Sequence, residues 1–198
     1  HTIIYKNSKR LSRLIDELMD FRKLQFNKMS INASKFDIVS FVNEVASHFE
    51  EEAGERNIIL SVDSPQENIS IWADPSMLEK IIFNLLSNAF KATKDNGMVS
   101  IKIQVPLKPI DFPLLNNEEE QYGIEIIIQD SGIGIDKKDL EHIFTRFYQS
   151  NEMDKQYYGG TGIGLEVVKS FIDLHMGLIE VRSEQKKGTE FKIKLPLG

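Results

Sequence analysis

The chain of 198 residues contains no cysteine and no long apolar run, and each absence removes a class of protein. Without cysteine there is neither a disulfide scaffold nor a thiolate metal site, which fits a reducing compartment. No apolar run approaches the roughly 20 residues that cross a bilayer, and the opening "HTIIYKNSKR" lacks the layout of a signal peptide. The formal charge of −6 argues against non-specific binding of nucleic acid. We therefore expect a soluble domain, one that could still be cut from a longer membrane protein.

The first 30 residues carry apolar side chains at a spacing of seven, which predicts a long amphipathic helix. One series runs through Ile4, Leu11 and Leu18, and Leu14 and Phe21 interleave with it. This is the seam of a helix that pairs with other helices. The alternative is a helix that lies on the core of its own domain. No capping residue precedes the pattern, so the helix is expected to be already running where the chain begins.

The remaining chain predicts an α+β fold. Helical periodicity covers residues 36–57, 74–93 and 161–176, and strand patterns cover 58–63, 69–74, 98–105, 122–130, 178–183 and 189–197. Strand pairs separated by helices favour a two-layer sandwich, with one mixed sheet and helices on one face, over a doubly wound parallel sheet. Residues 106–121 interrupt the strands with three prolines and three consecutive glutamates. We interpret them as an excursion, either functional or a plain surface insertion.

The stretch "GGTGIGLEVV" (159–168) carries four glycines before an apolar helix. A P-loop requires lysine where Leu165 stands, and the dinucleotide fingerprint requires glycine where Val167 stands. The glycines still precede a helix, whose first N–H groups attract anions. The alternative is a flexible turn that binds nothing.

Two further patterns carry polar groups that need partners. Asp130 follows a buried strand in "DSGIG", where it is either a binding carboxylate or the cap of a tight turn. Asn84, Asn88 and Lys91 share one face of the predicted helix 74–93. Phosphate oxygens and a hydrated Mg²⁺ suit such amides, although neighbouring backbone groups could also satisfy them.

Five motifs together resemble one family. "NLLSNAFKAT", "DSGIG", "IFTRFY", "GGTGIGL" and "KKGTEF" follow one another as the N, G1, F, G2 and G3 boxes do in sensor histidine kinases. Those kinases share their ATP-binding domain with DNA gyrase, the ninety-kilodalton heat-shock chaperone and the mismatch-repair ATPase. The resemblance implies a Bergerat-type catalytic domain over residues 35–198. It further implies that residues 1–30 are the second helix of a dimerisation and phosphoacceptor hairpin, similar to that of hybrid sensors.

The resemblance also implies a role for individual residues. Asp130 would accept a hydrogen bond from the adenine amino group, Asn88 would reach Mg²⁺, and Asn84 and Lys91 would contact the phosphates. Residues 136–158 would form a lid anchored by Phe144 and Phe147. Arg146 would supply the lid cation, because Gln149 stands where the family often has arginine. The implied ATP-binding set is Asn84, Asn88, Lys91, Asp130, Gly132, Gly134, Ile135, Phe144, Tyr148, Gly160, Thr161, Gly162, Gly164, Leu165 and Thr189, and the implied catalytic set is Asn84, Lys91 and Arg146.

The implied reaction is phosphoryl transfer to a protein side chain. Gyrase-like members have a glutamate as general base where this chain has Asn84, and an amide cannot take a proton at neutral pH. None of the four histidines fits the family's acceptor motif; we expect His142 and His175 to pack or cap and His48 to lie near solvent. The acceptor histidine would therefore lie upstream. The alternatives are an ATP-hydrolysing clamp and a non-catalytic interaction module.

The resemblance finally implies partners and a location. The parent protein would be a homodimer anchored in the inner membrane, with this domain in the cytoplasm. Its phosphoryl group would pass to an aspartate of a response-regulator receiver domain, and the domain itself would contact no nucleic acid.

Overall fold

A computed structural model describes Ile15, Met19, Arg22, Leu24 and residues 29–115, 121–148 and 162–197. The first four of these residues are helical. Ile15 and Met19 are about half exposed, whereas Leu24 packs against the core of the domain. The seam residues Ile4, Leu11, Leu14, Leu18 and Phe21 lie outside the described residues, so the pairing of this leading helix stays a prediction.

The helices and strands alternate much as the sequence predicts. The helices are α1 (Ile38–Ser47), α2 (Glu50–Glu55), α3 (Pro75–Ala92), α4 (Lys137–Leu140) and α5 (Gly164–Leu174). The strands are β1 (Ser34–Asp37), β2 (Ile59–Asp63), β3 (Ser70–Ala73), β4 (Met98–Gln104), β5 (Gly123–Asp130), β6 (Leu178–Glu184) and β7 (Gly188–Pro196). A 3₁₀ turn lies at Pro113–Leu115.

Capping side chains fix where α1 and α3 begin. The Asp37 carboxylate accepts hydrogen bonds from the N–H groups of Val39 and Ser40, and Asp74 caps Ser76 and Met77 in the same way. Aspartate suits both positions, because a short acidic side chain satisfies N–H groups that the first helical turn leaves unpaired.

The helix predicted over 36–57 is wrong in one respect, because it is broken into α1 and α2. The chain turns at His48 and Phe49. The turn directs the Phe49 ring into the core, where its centroid lies 4.9 Å from that of Phe83 and 5.1 Å from that of Phe90. In an uninterrupted helix, Phe49 would instead continue the apolar face of α1.

The main sheet has five strands in the order β2-β4-β5-β7-β6. Only the β2–β4 pair is parallel, and the other pairs are antiparallel. α1, α3 and α5 pack their apolar faces on one side of this sheet in a single core cluster. The predicted α+β sandwich with a mixed sheet is thereby confirmed.

β3 does not belong to that sheet, which corrects the expectation of one sheet. It pairs antiparallel with β1 to form a separate two-stranded sheet. No sequence pattern indicated β1, because four residues with one large apolar side chain give too short a pattern to detect. The amide of Trp72 on β3 donates to the carbonyl of Leu197, which connects the small sheet to the end of β7.

The described part of the excursion packs against the sheet. The N–H of Ile110 donates to the carbonyl of Gln121 at 2.8 Å, so the segment returns close to where it left. Phe112 is only 4% exposed. A Cβ on Gly123 would lie 2.7 Å from the Phe112 ring, so this glycine makes room for the aromatic side chain. The described residues of the excursion are therefore docked at this point of the sheet.

His175 joins the C-terminal end of α5 to the N-terminal end of α3. Its Nε2 accepts from the N–H of Asp74 at 3.0 Å, and its Nδ1 lies 2.7 Å from the carbonyl of Phe171, to which it donates. Burial lowers the pKa of His175, which keeps the ring neutral and able to accept. The expectation that His175 packs or caps is confirmed. None of the helices in the described ranges is long and apolar enough to cross a membrane.

Candidate nucleotide-binding site

α3 carries the predicted amide face beside its core face. Asn84 and Asn88 are half-buried and Lys91 is exposed, whereas Leu85 and Ala89, the residues next to the two amides, are buried in the core. The three polar residues therefore lie on one helix at the spacing that the sequence predicted. Their orientation is fixed by packing, because the helix cannot rotate without exposing its apolar face.

Arg56 holds the C-terminal end of α3. Its guanidinium donates to the carbonyls of Phe90 and Thr93, at 2.8 Å and 2.5 Å, and to the carboxylates of Glu52 and Asp95. The last carbonyls of a helix have no partner within it, and a cation there is favoured by the helix dipole. Arg56 thus fixes the turn of helix next to Lys91, and no local sequence pattern indicated this contribution.

Asp130 ends β5 and is 5% exposed. The carboxylate accepts the N–H of Gly132 at 2.8 Å. Burial raises its pKa to about 6, against the opposing effect of backbone hydrogen bonds from Gly132 and Thr189. Thr189 lies directly across from it on β7. The carboxylate therefore caps the tight turn, as one interpretation of the motif expected, whereas its role in binding a ligand stays a prediction.

The turn after Asp130 packs against α3 on one side and β6 on the other. A Cβ on Gly132 would lie 2.5 Å from the carbonyl oxygen of Ala92, at the end of α3. Gly134 has a φ of +69°, and a Cβ there would lie 2.0 Å from the carbonyl oxygen of Glu184. Glycine is required at both positions because no side chain fits such an approach.

Ser183 connects this turn to β7. Its hydroxyl accepts from the N–H of Ile135 at 2.8 Å and lies 3.0 Å from the hydroxyl of Thr189. Ile135 and Thr189 were predicted as site residues, whereas Ser183 was missed. The signal that could have indicated Ser183 is the register of β6 on β7, because it pairs Ser183 with the predicted site residue Thr189.

The first turn of α5 lies against the amide face of α3. A Cβ on Gly164 would lie 3.0 Å from the side-chain oxygen of Asn84, so the two predicted phosphate elements meet. In the part of the chain that the structure describes, no side chain caps α5. Its first N–H groups therefore suit an anion. Leu165 packs against the core and so fixes the first turn of α5.

Two contacts join the ends of the segment that includes the predicted lid. The N–H of Phe147 donates to the carbonyl of Gly162 at 2.9 Å. Nε of Arg146 lies 2.5 Å from Oε1 of Glu166, in the first turn of α5. The second carboxylate oxygen of Glu166 is buried and has no hydrogen-bond partner among the described residues. Glu166 was missed, since its sequence position marks it only as the third residue of a helix.

The aromatic residues at the start of the predicted lid, Phe144, Phe147 and Tyr148, differ in their contacts. The Phe144 ring packs against the core, 6.5 Å from the Phe191 ring. The Tyr148 hydroxyl donates to the buried Asp139 carboxylate at 2.6 Å, which raises the pKa of the tyrosine. Phe147 leaves 63% of its surface exposed and joins Gly162 through its backbone. Gly160, Thr161, Gln149 and lid residues 149–158 lie outside the described residues.

The arrangement offers an acceptor for a base at Asp130 and donors for an anion at α3 and α5. The described residues hold no cluster of three or more His, Asp or Glu side chains that could bind a metal ion. Asn88 could contribute one oxygen ligand to a magnesium ion whose other ligands are phosphate oxygens and water. The individual roles of the site residues remain predictions.

Three comparisons with known proteins bear on this site. Residues 73–198 match the family described as histidine kinase-, DNA gyrase B-, and HSP90-like ATPase. Histidine kinase P4 of Formosa agariphila is 35% identical over 199 aligned residues, which cover 99% of this chain and 14% of that protein. The chain thus spans a small part of this relative.

Solved structures show the same fold. Full-length ShkA in complex with AMPPNP superposes with a TM-score of 0.77 at 22% identity, covering 100% of this chain and 38% of that one. ThkA in complex with the response regulator TrrA gives a TM-score of 0.71 at 21% identity, covering 99% and 50%. With the family match over most of its length, the chain belongs to the histidine kinase-, DNA gyrase B- and HSP90-like ATPase family.

Proposed function

We propose that this chain is the ATP-binding catalytic domain of a sensor histidine kinase. It transfers the γ-phosphoryl group of ATP to a histidine upstream of the chain, for relay to an aspartate of a response regulator. The observation that carries the proposal is the nearly buried Asp130 carboxylate, whose turn packs against the same helix that presents Asn84 and Asn88. The names of the relatives support the kinase chemistry, and the neighbours solved with AMPPNP and with a response regulator support the ligand and the partner.

The chain's own residues would bind and orient the nucleotide. Asp130 accepts from the adenine amino group, with Thr189 and the 132–135 turn around it. Asn84 and Lys91 hold the phosphates at the start of α5, and Asn88 holds Mg²⁺. Bound ATP supplies the phosphoryl group, and a protein accelerates such a transfer mainly by positioning and by stabilising charge.

Asn84 decides between transfer and hydrolysis in this proposal. It lies on α3 against the start of α5, where a general base would activate water, and an amide cannot accept the proton. A nucleophile from another segment is then needed. None of the four histidines of the chain fits the acceptor, and His175 uses both ring nitrogens in the core.

The proposal extends to the parent protein. Residues 1–30 are the second helix of a dimerisation and phosphoacceptor hairpin, and residues 35–198 are the catalytic domain. The parent is a homodimer anchored in the inner membrane, with this domain in the cytoplasm and without nucleic-acid contacts of its own.

The first test is thermal unfolding of the 198-residue chain with ATP and Mg²⁺. A ligand present at 100 times its Kd stabilises the folded state by about 2.7 kcal/mol. We expect a rise in Tm for the wild type and none for Asp130→Asn, while Lys108→Ala on the excursion behaves as wild type. An unchanged wild-type Tm at about 5 mM ATP, far above the affinity of a functional site, would contradict nucleotide binding.

The second test separates kinase from hydrolase. The chain alone with ATP and Mg²⁺ should incorporate no phosphate, and adding the parent's hairpin should yield acid-labile phosphate on that hairpin. Release of free phosphate by the chain at a rate near 1 s⁻¹, a typical enzymatic turnover, would instead support an ATP-hydrolysing clamp.

A further inference from the structure

A groove lies between the helices α1 and α2 and the strand β2, with a volume of about 320 Å³. Apolar side chains contribute to its floor, where Ala46, Ala53 and Ile58 are buried and Leu60 and Val62 are half-buried, and most of its accessible lining is polar. Polar side chains on the α1 wall turn back to their own helix. Asn43 donates to the carbonyl of Val39, and Ser47 donates to that of Glu44.

β2 gives this groove an open main-chain edge. It is the last strand of the five-stranded sheet, and β4 is its partner on one side. The N–H of Ile59 donates to the carbonyl of Gly97, just before β4. Hydrogen-bonding direction alternates along a strand, so the N–H and C=O groups of Leu60 and Val62 point away from β4. In the described part of the chain no strand pairs with that edge.

The segments that form this groove are rich in acidic side chains. Residues 38–67, which form α1, α2 and β2, contain seven acidic side chains and one basic one. Their formal charge of −6 equals that of the whole chain, so the rest of the sequence is neutral. Glu50 lines the groove itself, and Arg56, the one cation, is engaged by Glu52 and Asp95.

We propose that this groove binds an extended, positively charged segment of a partner protein as a sixth strand. The segment's backbone pairs with Leu60 and Val62, as in other cases where a peptide adds to a sheet edge. Its alternate apolar side chains enter the groove over Ala53 and Ile58. Lysine or arginine side chains on the other positions point to the opposite face of the sheet, where Asp63 lies. The formal charge of −6 on residues 38–67 favours a cationic partner and raises its association rate. The site lies on β2, whereas the candidate nucleotide residues lie on α3, α5, β5 and β7 and in the turn after β5, so the two functions are separable.

The test uses an acetylated and amidated eight-residue peptide of alternating lysine and valine, titrated into the 198-residue chain. Hydrogen exchange of individual amides is followed by NMR. We expect the amides of Leu60 and Val62 to exchange at least about tenfold more slowly with the peptide, since each gains a hydrogen bond. The same peptide methylated on every backbone nitrogen keeps its charge and side chains, and it should bind at least about tenfold more weakly.

Two matched variants test the edge itself. Val62→Pro removes an outward N–H, which edge strands tolerate, and should weaken the unmodified peptide about tenfold. Val62→Thr keeps the N–H and the branched shape and should change the affinity less than about threefold. A folded Val62→Pro variant that binds as well as Val62→Thr would overturn the proposal. Equal binding of both peptides would also overturn it. So would no binding of either peptide, which would mean that the acidic side chains of residues 38–67 only keep β2 from pairing with another strand.

Discussion

At the scale of single residues, Asp130 and His175 are both ionisable and both nearly buried, and burial moves their pKa values in opposite directions. Burial favours the neutral form of each group. It raises the pKa of the Asp130 carboxyl to about 6 and lowers that of the His175 imidazole. The two groups therefore give the free energy of unfolding opposite dependences on pH, and each can be isolated by substitution.

For Asp130 we predict that its stabilising contribution is lost as the pH rises. The pKa is 3.8 in the unfolded chain and about 6 in the folded one. The contribution is complete below the lower value and disappears as the pH passes through the higher one. Urea denaturation of wild type and Asp130→Asn between pH 4 and pH 7 should show the variant gaining relative stability as pH increases. A difference that is the same at every pH would contradict the raised pKa.

For His175 the sign is reversed. Its folded pKa lies below the unfolded value of 6.5, so its contribution is present above 6.5 and is lost as the pH falls through the folded value. His175→Ala removes two hydrogen bonds and leaves the N–H of Asp74 buried, at a cost of about 2–4 kcal/mol at pH 7.5. The difference in free energy of unfolding between wild type and His175→Ala should be smaller at pH 5 than at pH 7.5. His48→Ala, at an exposed position, is the control and should cost less than about 0.5 kcal/mol.

The sequence predicted site residues where a local pattern marks them. Asp130, Asn84 and Asn88 could be proposed as site residues because a strand end or a helical spacing places them. Ser183 and Arg56 were missed because their partners are 48 and 34 residues away. Such contacts depend on strand register and helix packing, which a single sequence does not reveal.

At the scale of elements, the docked excursion makes a prediction about Phe112. Phe112→Ala would leave a cavity over Gly123 and should destabilise the domain by about 2–4 kcal/mol. Leu107→Ala, in the same segment but at a residue 99% exposed, should cost less than about 0.5 kcal/mol. Both are measured by urea denaturation at pH 7.5. If Phe112→Ala is as mild as its control, the excursion contributes nothing to the fold.

The elements of the main sheet were predicted within one or two residues, because their strands alternate or are bounded by glycine and aspartate. Two features were not. β1 is too short to carry a period, and the break at His48–Phe49 arises from the contacts of Phe49 with Phe83 and Phe90. Tertiary packing decided both, and it overrode a helical pattern that was continuous in the sequence.

At the scale of the whole molecule, one core cluster includes buried residues of α1, α3, α5, β4, β5 and β7, with Ile71 and Ala73 of β3, and side chains of β2 and β6 pack against it. We therefore predict that the small sheet unfolds together with the large one. Trp72, the one tryptophan of the chain, is on β3 and 55% exposed, so its fluorescence reports the small sheet. Its urea midpoint should coincide with that of far-UV circular dichroism. Separate midpoints would identify β1 and β3 as an independent unit.

α3 serves the core with one face and the candidate nucleotide site with the adjoining one. Asn84 and Asn88 each precede a buried residue, so few substitutions can alter the binding face without disturbing the fold. A compound that hydrogen-bonds to these two amides would therefore meet a surface with little freedom to mutate. Drug resistance arising along this helix should carry a cost in protein abundance, because most changes that weaken the inhibitor would also weaken the domain.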